Sequence, residues 1–171
     1  QLHPLYGEHS LLSEAWDTPK GVDRQARNPQ IYANFSVSTS PIHRGKLASY
    51  LRGIPHVRWE ENVPTISGRL NYLRDIRDCG LVMCPRGNGM DTHRLWEALY
   101  MGAIPIVLRS GYQYWICRKF GLPVVGLLNW KEIGNADKIF SLAHSEGFTE
   151  EGIRRLRLSA WTSKDGFLSS S

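Results

Sequence analysis

The densest run of chemistry-bearing residues is Cys84-Pro85-Arg86-Gly87-Asn88-Gly89-Met90-Asp91-Thr92-His93-Arg94-Leu95-Trp96-Glu97-Ala98-Leu99. Arg86, His93 and Arg94 supply three cationic donors close together. An arginine grips phosphate oxygens through two parallel hydrogen bonds. Gly87 and Gly89 flank Asn88, and glycine lets the backbone approach a ligand closely. A helix starting near Asp91 would add unpaired N–H groups and a partial positive charge. Together these residues suit a phosphate or diphosphate. Each also has a plainer role. The two glycines serve a simple turn, Asp91 and Thr92 serve as helix caps, and Glu97 serves as a surface carboxylate. The small and apolar residues after Glu97 point instead to its burial against a sheet. On these residues alone both readings stand.

Two common phosphate motifs are excluded. The P-loop needs GxxxxGK[ST], and no Lys follows these glycines. The dinucleotide fingerprint GxGxxG fails because Thr92 occupies the third glycine position. An ATPase or NAD-type reading therefore loses its main support.

The surrounding pattern supplies elements to position the run. Ile31 to Val37 reads as a strand. Ser40-Pro41 reads as a cap and first residue of a helix to about Leu51, stopped by Gly53. His56 to Trp59 is a weaker strand, and Ser67 caps a helix carrying Leu70, Leu73, Ile76 and Arg77 that ends at Gly80. Leu81 to Cys84 is a short apolar strand of the kind buried in parallel sheets. A helix from about Asp91 to Tyr100 follows, stopped by Gly102. Next come a strand over Ile104–Leu108, a helix over Tyr112–Phe120 and a strand over Val124–Leu128. Two helical patterns close the chain, Asp137 to His144 and Thr149 to Trp161. Alternating short strands and helices predict an α/β, Rossmann-like, doubly wound parallel sheet. In such sheets ligands bind in loops at the carboxyl ends of strands, where the Pro85–Gly89 loop falls. Residues 1–29 lack clean periodicity and read as an irregular lead-in or linker, with the domain over residues 30–171.

Length and composition fit one soluble domain: 171 residues, 42% hydrophobic and 22% charged. No apolar run approaches the ~20 residues of a membrane span. No signal peptide is visible, and the chain starts at Gln1 without Met. The net charge of +5 favours anionic partners. No nucleic-acid module is recognisable, and the cationic residues are spread over several helices, so nucleic acid is not expected as a partner. Cys79, Cys84 and Cys117 form no CxxC pair and no zinc spacing, which reads as buried free thiols in a reducing compartment.

The run CPRGNGMDTHRLWEALYMGAIPIV resembles the donor-site motif of exostosin-like glycosyltransferases and related bacterial and viral sugar transferases. That group carries a strand, a Pro-x-Gly-x-Gly loop and a D-[ST]-x-R-x-[WF]-E-A-L-x-x-G-x-I-P-[IV] unit. The match covers Leu81 to Leu108, with weaker similarity over Ile31 to Arg44. The resemblance implies one lobe of a two-lobed (GT-B) transferase, the carboxyl-terminal lobe that binds a nucleotide-diphosphate sugar. It implies that Glu97 accepts from the ribose hydroxyls. It implies that Asn88, Gly89, Asp91, Thr92, His93 and Arg94, with Arg86 and Gly87, surround the diphosphate. Arg44 would reach the same phosphates from the neighbouring loop.

No Asp-x-Asp pair is present, so the resemblance is read as metal-independent, without a cofactor. The expected partners are a nucleotide sugar, a glycan or other hydroxyl acceptor, and an amino-terminal lobe of the same protein. The chain is expected to be a donor lobe of a longer cytoplasmic protein. Its catalytic base cannot be named. A non-catalytic nucleotide-sugar or nucleotide-binding module is the alternative, because it needs the same site. A hydrolase would need a positioned water and base, and shows neither as a motif.

Other candidates weigh less. Asn34-Phe35-Ser36 matches a glycosylation sequon inside an expected buried strand and is discounted as an acceptor. Asn34 and Ser36 fit strand packing better than a ligand site. His43-Arg44-Gly45-Lys46 is an ordinary basic cluster without the family match. Tyr112, Tyr114 and Trp115 have the spacing of one helix's core and surface, and Arg154-Arg155-x-Arg157 reads as a solvated helix face.

Overall fold

A computed structural model describes residues 30–60, 66–147 and 149–156. The expected lead-in over residues 1–29, the side chains of the Arg154–Arg157 cluster and the helix end at Trp161 lie outside the described residues. The elements in order are β1 (Ile31–Ala33), α1 (Pro41–Leu51), β2 (Val57–Trp59), α2 (Ile66–Cys79), β3 (Leu81–Met83) and α3 (His93–Tyr100). They continue with β4 (Ile104–Leu108), α4 (Tyr112–Lys119), β5 (Val125–Leu127), a 3-10 turn (Trp130–Gly134), α5 (Ala136–Ser145) and α6 (Glu150–Leu156).

The five strands form one parallel sheet in the order β2-β1-β3-β4-β5. Side chains alternate between its faces, as a strand period of two requires. Ile31 and Ala33 of β1, Leu81 and Met83 of β3, and Ile104 and Ile106 of β4 pack with Leu47, Ala48 and Leu51 of α1 and Ile139 of α5. Tyr32, Val82 and Val107 point the other way, against Leu73 and Ile76 of α2, Leu95 and Leu99 of α3, and Ile116 of α4. Both faces are therefore covered, and the fold is the expected Rossmann-like, doubly wound α/β layer.

The strand order reverses between β1 and β3. The connection from β1 runs outward through α1 on one face, and those around β3 run through α2 and α3 on the other. At such a switch point the loops leave the sheet in opposite directions and open a crevice at the strands' carboxyl ends. Here the crevice lies between the loop after β1 and the loop after β3.

The helix stops act as expected. Gly80 and Gly102 have φ of 73° and 70°, a left-handed conformation that costs other residues. Their amides cap α2 and α3 by donating to Ile76 O and Leu99 O. Several boundaries differ from the sequence reading. The first strand ends at Ala33 instead of Val37, because its partners β2 and β3 are each three residues long and the ladder has nothing further to pair with. The helix after it begins at Pro41 as expected, but the Ser40 side chain makes no capping bond. Ser67 lies inside α2, which already starts at Ile66. Asp91 lies before α3, which starts at His93 with Thr92 at the N-cap. Cys79, Cys84 and Cys117 are buried free thiols. No described helix is long and apolar enough to cross a membrane.

Candidate functional site

The loop after β3 runs from Cys84 to Thr92 and is pinned at both ends. Cys84 N donates to Ile106 O at 2.9 Å, which extends the sheet edge by one residue. Cys84, Pro85 and Gly87 are buried, whereas Arg86 and Asn88 to Asp91 are exposed. At the far end, Asp91 Oδ1 accepts from Thr92 N at 2.8 Å, and Asp91 Oδ2 accepts from Trp96 Nε1 at 2.9 Å. Gln113, 5% exposed, donates from Nε2 to Thr92 Oγ1 at 3.1 Å. Asp91 and Thr92 thus brace the loop. The Thr92 hydroxyl, engaged with Gln113, does not cap α3. The first turn of α3 receives no side-chain cap from Thr92, an arrangement that suits an anion.

Arg44, in the first turn of α1, crosses the crevice beneath this loop. Its Nε donates to Arg86 O at 2.9 Å, Nη2 to Pro85 O at 3.0 Å and Nη1 to Ser36 O at 3.1 Å. Its guanidinium stacks 5.4 Å from the Phe35 ring centroid. Burial, and then the charge of Arg94, lower the Arg44 pKa to about 10. Arg44 stays cationic at neutral pH, and the two guanidinium groups repel across the crevice. An anion placed between them would relieve that repulsion.

Arg94 lies in the first turn of α3. Its guanidinium sits 5.8 Å from the Tyr72 ring centroid, and its Nε is buried with no hydrogen-bond partner. A buried donor without a partner is costly in a ligand-free domain. One turn on, Glu97 Oε2 accepts from Tyr72 Oη at 2.7 Å. Burial pushes the Tyr72 phenol and the Cys84 thiol well up, with Arg94 opposing both shifts. Both remain neutral at physiological pH and add no charge beside the guanidinium groups. His93 is exposed beside them.

Arg44, Arg86, Gly87, Asn88, Gly89, Asp91, Thr92, His93, Arg94 and Glu97 therefore gather around the β1–β3 crevice or on the first turns of α3. Their tasks divide. Arg86, Asn88, Gly89 and His93 face solvent, Arg94 and Glu97 are half-buried, and Arg44 is sealed beneath the loop.

Sequence reasoning missed Tyr72, which meets Glu97 from α2, and Gln113, which meets Thr92 from α4. It also missed a relay past the end of β1. Asn34 Nδ2 donates to Tyr32 Oη at 3.1 Å, and Tyr32 Oη donates to Glu60 Oε2 at 3.0 Å. Tyr72, Gln113 and Glu60 carry no local signal, because each meets its partner from a distant element. Tyr112 and Trp115 form an exposed ring pair, with centroids 5.7 Å apart. Among the described residues no three His, Cys, Asp or Glu side chains are grouped to hold a metal ion. No family model matches the chain, and no curated protein matches it.

Proposed function

We propose that this domain binds the diphosphate of a nucleotide sugar at the β1–β3 crevice and serves as the donor lobe of a glycosyltransferase. The observation that carries the reading is Arg94. Its Nε is buried and unpartnered at the uncapped start of α3, and its charge, after burial, helps to lower the pKa of the neighbouring Arg44 guanidinium. Two cations and a helix N-terminus converge where the resemblance to exostosin-like transferases puts the diphosphate.

The chemistry follows from that placement. In glycosyl transfer the bond between the anomeric carbon and the diphosphate oxygen breaks, and a bond to the acceptor oxygen forms. Negative charge develops on the departing oxygen. Fixed cations and helix N–H groups stabilise that charge more than the ground state, which is what lowers the barrier. The proton of the acceptor hydroxyl needs a base, and no carboxylate of this chain is assigned to it.

The carboxyl edge of the sheet supports a covering partner. Ile42, Met90 and Leu128 are 82%, 68% and 69% exposed. Ile42 lies in the first turn of α1, Met90 in the loop after β3 and Leu128 directly after β5. All three sit at the carboxyl edge of the sheet, and a second lobe closing on the site would shield them from water.

Thermal unfolding of the chain with UDP, GDP, ADP, CMP and dTDP, and with their sugars, tests the proposal. A ligand at ~100 times its dissociation constant stabilises the fold by about 2.7 kcal/mol, a shift of several degrees. A shift with one base class supports the donor site. No shift with any nucleotide counts against it. Sugar transfer by the chain joined to an acceptor lobe separates a transferase from a module that only binds.

A further inference from the structure

The geometry of Arg44 points to a role different from phosphate contact. The side chain is 4% exposed. Three of its nitrogens donate to three backbone carbonyls, two on the loop after β3 and one on the loop after β1. An arginine that gripped a diphosphate would present its outer edge to the crevice, and here both Nη atoms are engaged. Gly87 is the matching half of the contact. A Cβ at that position would lie 3.1 Å from Arg44 Nη2 and 3.6 Å from Thr39 Cγ2. The loop comes this near to the guanidinium because residue 87 has no side chain.

We propose that Arg44 is a positioning residue: it straps the two switch-point loops together and so preforms the backbone that holds the phosphate. Its role at the phosphate rests on the donor-site reading above, whereas the strap itself rests on the hydrogen bonds alone. Lysine could not replace it, since an ammonium is a compact point charge and cannot span three carbonyls in one plane. Arg94 makes the direct contact, and Arg44 fixes where that contact is made.

Trypsin offers a direct test. The bond it would cut after Arg86 carries the carbonyl that Arg44 Nε holds. In the full chain, without ligand, Arg44→Lys is expected to speed cleavage after Arg86 by roughly tenfold, as the open population rises. Cleavage after Lys119, on the far side of the domain core, is expected to stay unchanged. Binding of the nucleoside diphosphate that shifts the wild type most is expected to weaken by about tenfold, although the charge is retained.

Unchanged cleavage after Arg86 would overturn the strap. Faster cleavage with unchanged nucleotide affinity would overturn the positioning role. If Arg44→Lys also exposes the Lys119 site, the fold has loosened as a whole. Gly87→Ala, which keeps Arg44, then decides by the same two readouts. A wild type that binds no diphosphate, with Arg86 cleavage still accelerated in the variant, would overturn the phosphate reading and support the strap alone.

Discussion

Tyr72 Oη donates to Glu97 Oε2 at 2.7 Å and joins α2 to α3 beside the crevice. Tyr72 is 6% exposed, and its ring also carries the Arg94 guanidinium. One side chain therefore orients two of the residues that the donor-site reading assigns to the ligand. Tyr72→Phe keeps the ring and removes the hydrogen bond. The variant is expected to lose about 1.5–3 kcal/mol of stability, the range for a bond to a charged group. Urea unfolding checks this, and an unchanged midpoint would show that the bond contributes nothing net.

Arg94→Ala removes the buried unpartnered Nε and the cation facing Arg44. Nucleoside-diphosphate binding is expected to weaken by more than ~1.5 kcal/mol. Calorimetric titration reads this directly. Equal affinity in wild type and variant would take Arg94 out of the diphosphate site.

Glu97→Ala addresses the ribose. The variant is expected to lose discrimination between ribo- and deoxyribonucleotides, while the diphosphate still binds. The ratio of the two dissociation constants is the readout. An unchanged ratio would leave Glu97 with a structural role, its bond to Tyr72 included.

The buried thiols predict a pH dependence. Burial pushes up the Cys79, Cys84 and Cys117 thiols, that of Cys117 to about 12. An unfolded thiol ionises near pH ~8.5. Between those values the folded chain holds protons that the unfolded chain has released, so stability falls as pH rises. Each thiol adds a slope of up to about 1.4 kcal/mol per pH unit above its unfolded pKa. Chemical denaturation at pH 8.0, 8.5, 9.0 and 9.5 (roughly the window set by these values) should show a declining midpoint. The window stops below the Arg44 pKa of about 10. A flat profile would mean that the thiols ionise within the folded domain. At neutral pH the same burial should leave all three unreactive to thiol reagents until the chain unfolds.

The sequence pattern carried the sheet, the helix stops and the place of the loop. Gly80 and Gly102 were legible because a left-handed residue at a helix end is a local requirement. Leu81 to Met83 were legible because a strand covered on both faces must be apolar throughout. The first strand was read too long because Phe35 and Val37 continue the apolar alternation. Its length is set by β2 and β3, which the segment itself does not encode. The Trp130–Gly134 turn was missed although its cap is local: Asn129 Oδ1 accepts from Lys131 N at 3.0 Å. Arg44 was legible as a cation near the site, but not as a ligand of backbone carbonyls. Two of those carbonyls arrive from residues 85 and 86, after three further elements have formed. For the same reason Tyr72 and Gln113 gave no signal.

The strand order also governs how the site comes into being during folding. The segments β1-α1-β2 and β3-α3-β4-α4-β5 each join strands that are consecutive within them and adjacent in the sheet. Closing such short loops costs less entropy than closing long ones. The seam between the two segments is held by the pairs Ile31↔Leu81 and Tyr32↔Val82, which close a longer loop. The crevice lies on that seam, so it does not exist in either segment by itself. A ligand bound there would touch both halves and hold them together, so it would slow their separation.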